Sequence, residues 1–228
     1  SYSYSLIKIG DSYYSLQQND SALSYFRNAA GLLNKSRANS PDNFDLVLKI
    51  GNLYTDLYNY TEAEKAYKNA LKIARNIYGE RDSNYATCMD ALGVLYTNME
   101  NYAMAERYLV NAEQTRKIIL GVNNGDYANS LTNLGILNIY KNNFSSAESY
   151  FKKALQVRRN VYGENNSEYA SSVFNLAGFY KEIGDFKKSK LFYDSLNRDL
   201  KPIAQPNQFD TPEEYENKIK NIQLGKQH

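Results

Sequence analysis

The chain has 228 residues, 43% of them hydrophobic, with a net charge of +2, one cysteine and one histidine. That is enough apolar material for a core and too little charge to recruit nucleic acid or an acidic membrane surface. The lone thiol, Cys88, excludes an intrachain disulfide and fits a reducing, cytoplasmic setting, and no run of about 18 apolar residues predicts a membrane span.

No signal peptide is visible, and the first residue is Ser1 rather than Met, so the sequence is expected to be a piece of a longer one. The four prolines, Pro41, Pro202, Pro206 and Pro212, leave residues 42–201 free of the strongest helix breaker. The sequence repeats itself within that stretch. Tyr85-Ala86, Tyr127-Ala128 and Tyr169-Ala170 recur at a spacing of 42, as do Leu92-Gly93, Leu134-Gly135 and Leu176-Ala177. So do Ala63, Ala105 and Ala147, then Ala70, Ala112 and Ala154.

Five units follow in chain order. The first, residues 2–42, is one residue shorter, and its Ile9-Gly10, Ala22 and Ala29 match Ile50-Gly51, Ala63 and Ala70 of the second, 43–84. The third is 85–126, the fourth 127–168 and the fifth 169–200. Each reads as two helices. In the fourth, Ala128, Leu131, Leu134 and Leu137 form an amphipathic stripe. Asn142-Asn143 interrupts it, and Ala147, Tyr150, Phe151, Ala154, Leu155 and Val161 form the next. Gly163 then sits where a helix end calls for a left-handed backbone, and Ser167, like Ser83, is expected to cap the following helix. Gly51, Gly93 and Gly135 on the first helices, with Ala63, Ala105 and Ala147 facing them, predict close crossings. Tyr54, Tyr96 and Tyr180 are expected to span to an adjacent helix.

The motif Tyr162-Gly163-Glu164-Asn165 is therefore a joint between hairpins. A catalytic Glu is needed once, whereas Glu80 and Glu164 both recur and Val122 stands between them. With His228 as the only histidine, His-based catalysis and most zinc sites are excluded. Cys88 falls at a core phase, and no phosphate loop or calcium loop is present. No cofactor and no enzymatic activity are expected. Most tyrosines also fall at core phase, which disfavours an aromatic platform for nucleic-acid bases; Tyr2, Tyr4, Tyr13 and Tyr14 are expected to be exposed at the first edge.

The pattern Leu92-Gly93-x-x-Tyr96, then Ala105, Leu109 and Ala112, resembles the tetratricopeptide repeat over residues 4 to about 198. The period is longer than the usual one of about 34. The longer form resembles the repeats of kinesin light chain and of bacterial arrays attached to CHAT proteases. The resemblance implies an all-α, right-handed solenoid of about five helix-turn-helix hairpins, with first helices lining a concave groove that holds a protein or peptide partner. Repeat phase then assigns to the groove Lys8 and Asp11; Lys49, Asn52 and Asp56; Asp90, Val94 and Asn98; Asn129, Asn133 and Tyr140; and Phe174, Asn175 and Lys181. Asn133 and Asn175 match an asparagine that pairs with a ligand's backbone amide in such proteins. A basic clamp for a terminal carboxylate is rejected, because Ala91 and Asp11 fall at its positions. Asp11, Asp45, Asp56 and Asp90 favour ligands with some basic residues.

After Pro202 and Pro206, residues 201–210 read as a linker. Thr211-Pro212-Glu213-Glu214 reads as a helix start. Tyr215, Ile219 and Ile222 give residues 211–224 one apolar face, expected to cap the array. The first functional expectation is a non-catalytic protein-interaction scaffold. The alternative is the regulatory arm of a larger signalling protein or protease, for example of CHAT type, whose further domains lie elsewhere in the parent chain.

Overall fold

The computed structural model describes residues 2–199, with the side chains of 197–199 left aside. The expected linker and C-terminal helix lie outside the described residues. Among the described residues ten helices follow in order: α1 Tyr2–Ser15, α2 Asn19–Arg37, α3 Pro41–Asp56, α4 Tyr60–Tyr78, α5 Ser83–Asn98, α6 Tyr102–Leu120, α7 Gly125–Tyr140, α8 Phe144–Tyr162, α9 Ser167–Glu182 and α10 Phe186–Asp199. They pair as hairpins at the expected period. The chain divides into two compact units, the first ending at Val161 and the second beginning at Tyr162.

Short polar side chains start the helices. Ser40, Asp82, Asn124 and Asn166, at one repeat phase, accept a backbone N–H from the first turns of α3, α5, α7 and α9. The caps are thus one residue earlier than expected: Ser83 and Ser167 are the first helical residues, not the capping ones. Second helices are capped by Asn59 and Asn101. The joint glycines have positive φ, and Gly79 pairs φ 87° with ψ 173°. That is an extended region open essentially to glycine alone, rather than the left-handed helical one.

In the first unit each hairpin closes around a glycine. A Cβ on Gly51 would lie 2.5 Å from the Tyr67 ring, on Gly93 2.5 Å from Leu109, and on Gly135 2.8 Å from Phe151. The large side chain four residues after the expected alanine fills the glycine's place. Ala63, Ala105 and Ala147 themselves are fully buried beside it. Neighbouring hairpins stack, α2 on α3, α4 on α5 and α6 on α7, and the first helices also touch, α3 with α5 and α5 with α7. Tyr96 spans as expected: its hydroxyl donates to Glu64 of α4 at 2.6 Å and its ring stacks on Tyr108 of α6, centroids 5.6 Å apart. Cys88 is buried, and burial pushes its thiol up to about 12.

In the second unit α9 packs on α10, with Tyr180 stacked on Phe192 at 5.6 Å. Ser189 and Leu196, which replace the repeat's alanines, are both buried.

Gly51→Val is expected to cost about 1–3 kcal/mol through overpacking against Tyr67, read as a lower denaturant midpoint. Gly178→Ala is the matching control: nothing meets its Cβ, so it should raise stability by about 0.5–1 kcal/mol.

Candidate peptide-binding groove

The expected groove residues divide into three groups. The first lies at an open recess of roughly 700 Å³ between α1, the end of α2 and α3, lined by Lys8, Asp11, Asp45, Lys49 and Asn52 over Ile7, Leu33, Leu46 and Leu48. Successive first helices present these side chains at one repeat phase. Lys49 Nζ lies 2.6 Å from Asp11 Oδ1 and sits over the Phe26 ring at 5.7 Å; Lys8 Nζ is 4.0 Å from Asp11. Burial raises the Asp45 carboxyl, against the pull of Lys49.

Asn52 is held from behind. The Tyr67 hydroxyl donates to its Oδ1 at 2.8 Å and lies 3.1 Å from Thr55 Oγ1. Burial pushes that phenol up to about 12, so it stays protonated and remains a donor at neutral pH. The amide nitrogen of Asn52 is thereby turned outward, on an exposed side chain, as a donor.

The second group is structural. Asp90 is buried, which corrects its expected place on the groove surface. It pairs with Arg116 of α6, itself buried. Arg116 Nη1 also donates to Ser130 Oγ of α7 at 2.7 Å and to the Asp126 carbonyl at 3.2 Å, while Nη2 reaches Thr87 Oγ1 at 3.1 Å. Ser130 also donates to Asp90 at 3.1 Å. Burial pushes the Asp90 carboxyl up; Arg116, Ser130 and Asn133 pull it back. Asn133 is therefore half-buried beside this carboxylate. One repeat later Arg158 Nη2 donates to Asn129 Oδ1 at 2.5 Å and Nη1 to Thr132 at 3.3 Å, so Asn129 too is held by an arginine.

Sequence reasoning missed both arginines. Their signal was present: Leu33, Ala74, Arg116 and Arg158 share one phase, and all four are buried. The facing position changes in step, from Leu46 through Cys88 to Ser130.

The third group is dispersed. Asp56, Val94 and Asn98 are exposed, and Asp56 is raised by partial burial. Tyr140 is half-buried and stacks on Tyr102 at 6.4 Å. In the second unit Phe174 meets Tyr193 edge-on at 5.8 Å, Asn175 is half-buried and Lys181 exposed. Among the described residues there is no cluster of metal-ligating side chains, and no helix is long and apolar enough to cross a membrane.

Helical hairpins repeated in register, with polar side chains displayed from their first helices, define a helical-repeat array. The tetratricopeptide repeat profile matches residues 44–117, 92–160 and 126–195, and the chain belongs to that family. Among solved structures it is similar to BtubC from P. vanneervenii at 23% identity and TM-score 0.70, over 89% of this chain and 80% of that one. It is also similar to a Podospora anserina putative kinesin light chain with nearly identical repeats, at 12% identity and TM-score 0.70, over 86% and 92%. A Rap protein complexed with Competence and Sporulation Factor matches at 17% identity and TM-score 0.72; this chain is covered over 86% and spans about half, 53%, of that one. No curated protein sequence matches.

Arg116→Met is expected to cost about 3–5 kcal/mol at pH 7, because Asp90 is left buried without its countercharge. The folded-state pKa of Asp90 then lies further above its unfolded value, so the folded state holds the extra proton. Stability of the variant should fall as pH rises through that folded pKa and recover on acidification toward the ordinary aspartate range. Urea unfolding of variant and wild type between pH 5 and 8 reads both effects.

Proposed function

We propose that the chain is a non-catalytic interaction scaffold that holds an extended peptide or partner segment against its first helices, with the recess between α1 and α3 as the main contact. The observation that carries this reading is the outward, pre-oriented amide of Asn52 beside the Lys49–Asp11 pair. A donor fixed by Tyr67 can meet a ligand's backbone carbonyl without first losing its own conformational freedom. The flanking cations and carboxylates suit a ligand carrying charges of both signs. The Rap structure, complexed with Competence and Sporulation Factor, supports a bound partner for this kind of array.

Asn133 and Asn129 are assigned a smaller share of binding, since Asp90 and Arg158 engage them from within. The family's fold is generally a non-catalytic one. The alternative, a regulatory arm of a larger protein, draws on the fact that the chain spans only about half of the Rap chain. In that reading the recess binds a segment of the parent protein.

A displayed peptide library panned against the full chain supplies a ligand. Calorimetry on the selected peptide is expected to show at least tenfold weaker binding to Asn52→Ala and to Lys49→Ala, and unchanged binding to Ile118→Ser on the exposed end of α6. Equal affinity for all four proteins would move the site off the first helices.

A further inference from the structure

The joint between α6 and α7 departs from the other two of its pattern. Where the joint after α4 carries Asn76, Tyr78 and Glu80, and the one after α8 carries Asn160, Tyr162 and Glu164, this one carries Ile118, Leu120 and Val122. Three polar or amphipathic positions have turned aliphatic at one place, with a complete hairpin on either side of it. All three are exposed. Ile118, at 78%, is the most exposed large apolar side chain among the described residues, and Val122 and Leu120 follow at 48% and 36%. Single apolar residues scattered over a surface are ordinary, but a contiguous cluster marks an interaction site.

The same substitutions release charge. In the joint after α4, Arg75 Nε lies 2.9 Å from Glu80. The equivalent residues here are Lys117 and Val122, so the base has lost its acid. Beyond the cluster stands Asp126, whose main-chain carbonyl accepts from Arg116 of α6 at 3.2 Å and is thereby held against that helix. Lys117 and Asp126 are both exposed. Among the described residues neither has an oppositely charged partner. An aliphatic cluster is thus flanked along the chain by an unpaired base on α6 and an unpaired acid on α7.

We propose that this joint is where the chain pairs with a second copy of itself, about a two-fold axis that sets Ile118, Leu120 and Val122 of the two copies against each other. A two-fold contact is reciprocal. If Lys117 of one copy meets Asp126 of the other, then Asp126 of the first also meets Lys117 of the second. A surface with one unpaired ion of each sign around an apolar centre is complementary to itself, whereas a single sign would call for a different partner. An apolar centre with a charged rim is also how protein interfaces are generally built. Three side chains fall short of the roughly 800 Å² that each partner buries in a stable complex, so the pair is a reversible one. The contact uses none of the recess residues and is independent of the groove.

Sedimentation velocity on the full chain, over a concentration series reaching the upper micromolar range, should show a reversible monomer–dimer equilibrium. Ile118→Asn and Val122→Glu install residues that the neighbouring joints already carry, so both keep the fold, and the second returns an acid to Lys117. Each should weaken pairing at least tenfold, while Asn52→Ala should pair as the wild type does. Lys117→Asp and Asp126→Lys, checked for native circular dichroism, should each abolish self-pairing, because like charges then meet. Mixed together, these two variants should associate, since every contact again joins a base to an acid. A chain that stays monomeric throughout overturns the proposal and gives the cluster to another polypeptide. So does a dimer that Ile118→Asn leaves intact, or a mixture of the two charge variants that fails to associate.

Discussion

The contact between one large side chain and one missing side chain organises the first unit. Tyr67, Leu109 and Phe151 each occupy the space where a Cβ would stand on Gly51, Gly93 and Gly135. This brings the helices of a hairpin together and fixes how they cross. It leaves each hairpin with an apolar stripe that only a neighbour can bury, so stacking follows from the same glycines. The stacked first helices then form the layer from which Lys8, Asp11, Lys49 and Asn52 project. Tyr67 ties these levels together, for the ring that fills Gly51 is also the donor that orients Asn52.

The interfaces between repeats do not share one chemistry. Between α2 and α3 it is apolar, with Leu33 and Leu46 in one cluster; Ala74 and Cys88 share a cluster between α4 and α5. Between α6 and α7 an arginine takes over, with Asp90, Ser130 and Thr87 saturating most of its donors. Its Nε alone is without a partner among the described residues. A buried ion pair of this kind adds little net stability over a packed apolar contact, but losing one partner is costly. Its contacts tie three helices together, since the guanidinium of α6 is held by Thr87 and Asp90 of α5 and by Ser130 of α7. Asn133, expected in the groove, is half-buried beside Asp90, whereas Lys8, Lys49 and Asn52 are exposed.

The repeat period, the hairpins and their pairing were legible in the sequence, because the 42-residue spacing is carried by core glycines, alanines and tyrosines whose packing admits few alternatives. The caps were misplaced by one residue: Asp82 and Ser83, like Asn166 and Ser167, are both good capping types, and only the backbone decides between them. Asp90 was assigned to the surface because a charged residue on a first helix is usually solvated. The guanidinium that buries it comes from a different helix, in a repeat position that is apolar elsewhere. Pairing of that kind depends on tertiary contact and is visible in sequence only when the two changes are compared repeat by repeat. Asn52 was expected in the groove, but the direction of its amide came only from Tyr67.

The central claim is that the first helices of the array hold the ligand, most strongly at its N-terminal end. Hydrogen–deuterium exchange on the full chain, with and without a saturating selected peptide, tests it most directly. The account predicts that the peptide slows exchange in α1 and α3, around Ile7–Asp11 and Leu48–Asn52, and leaves α4 and α6 unchanged. Slowing confined to α4, α6 or the joints at Gly79 and Gly121, with α1 and α3 unaffected, would contradict it.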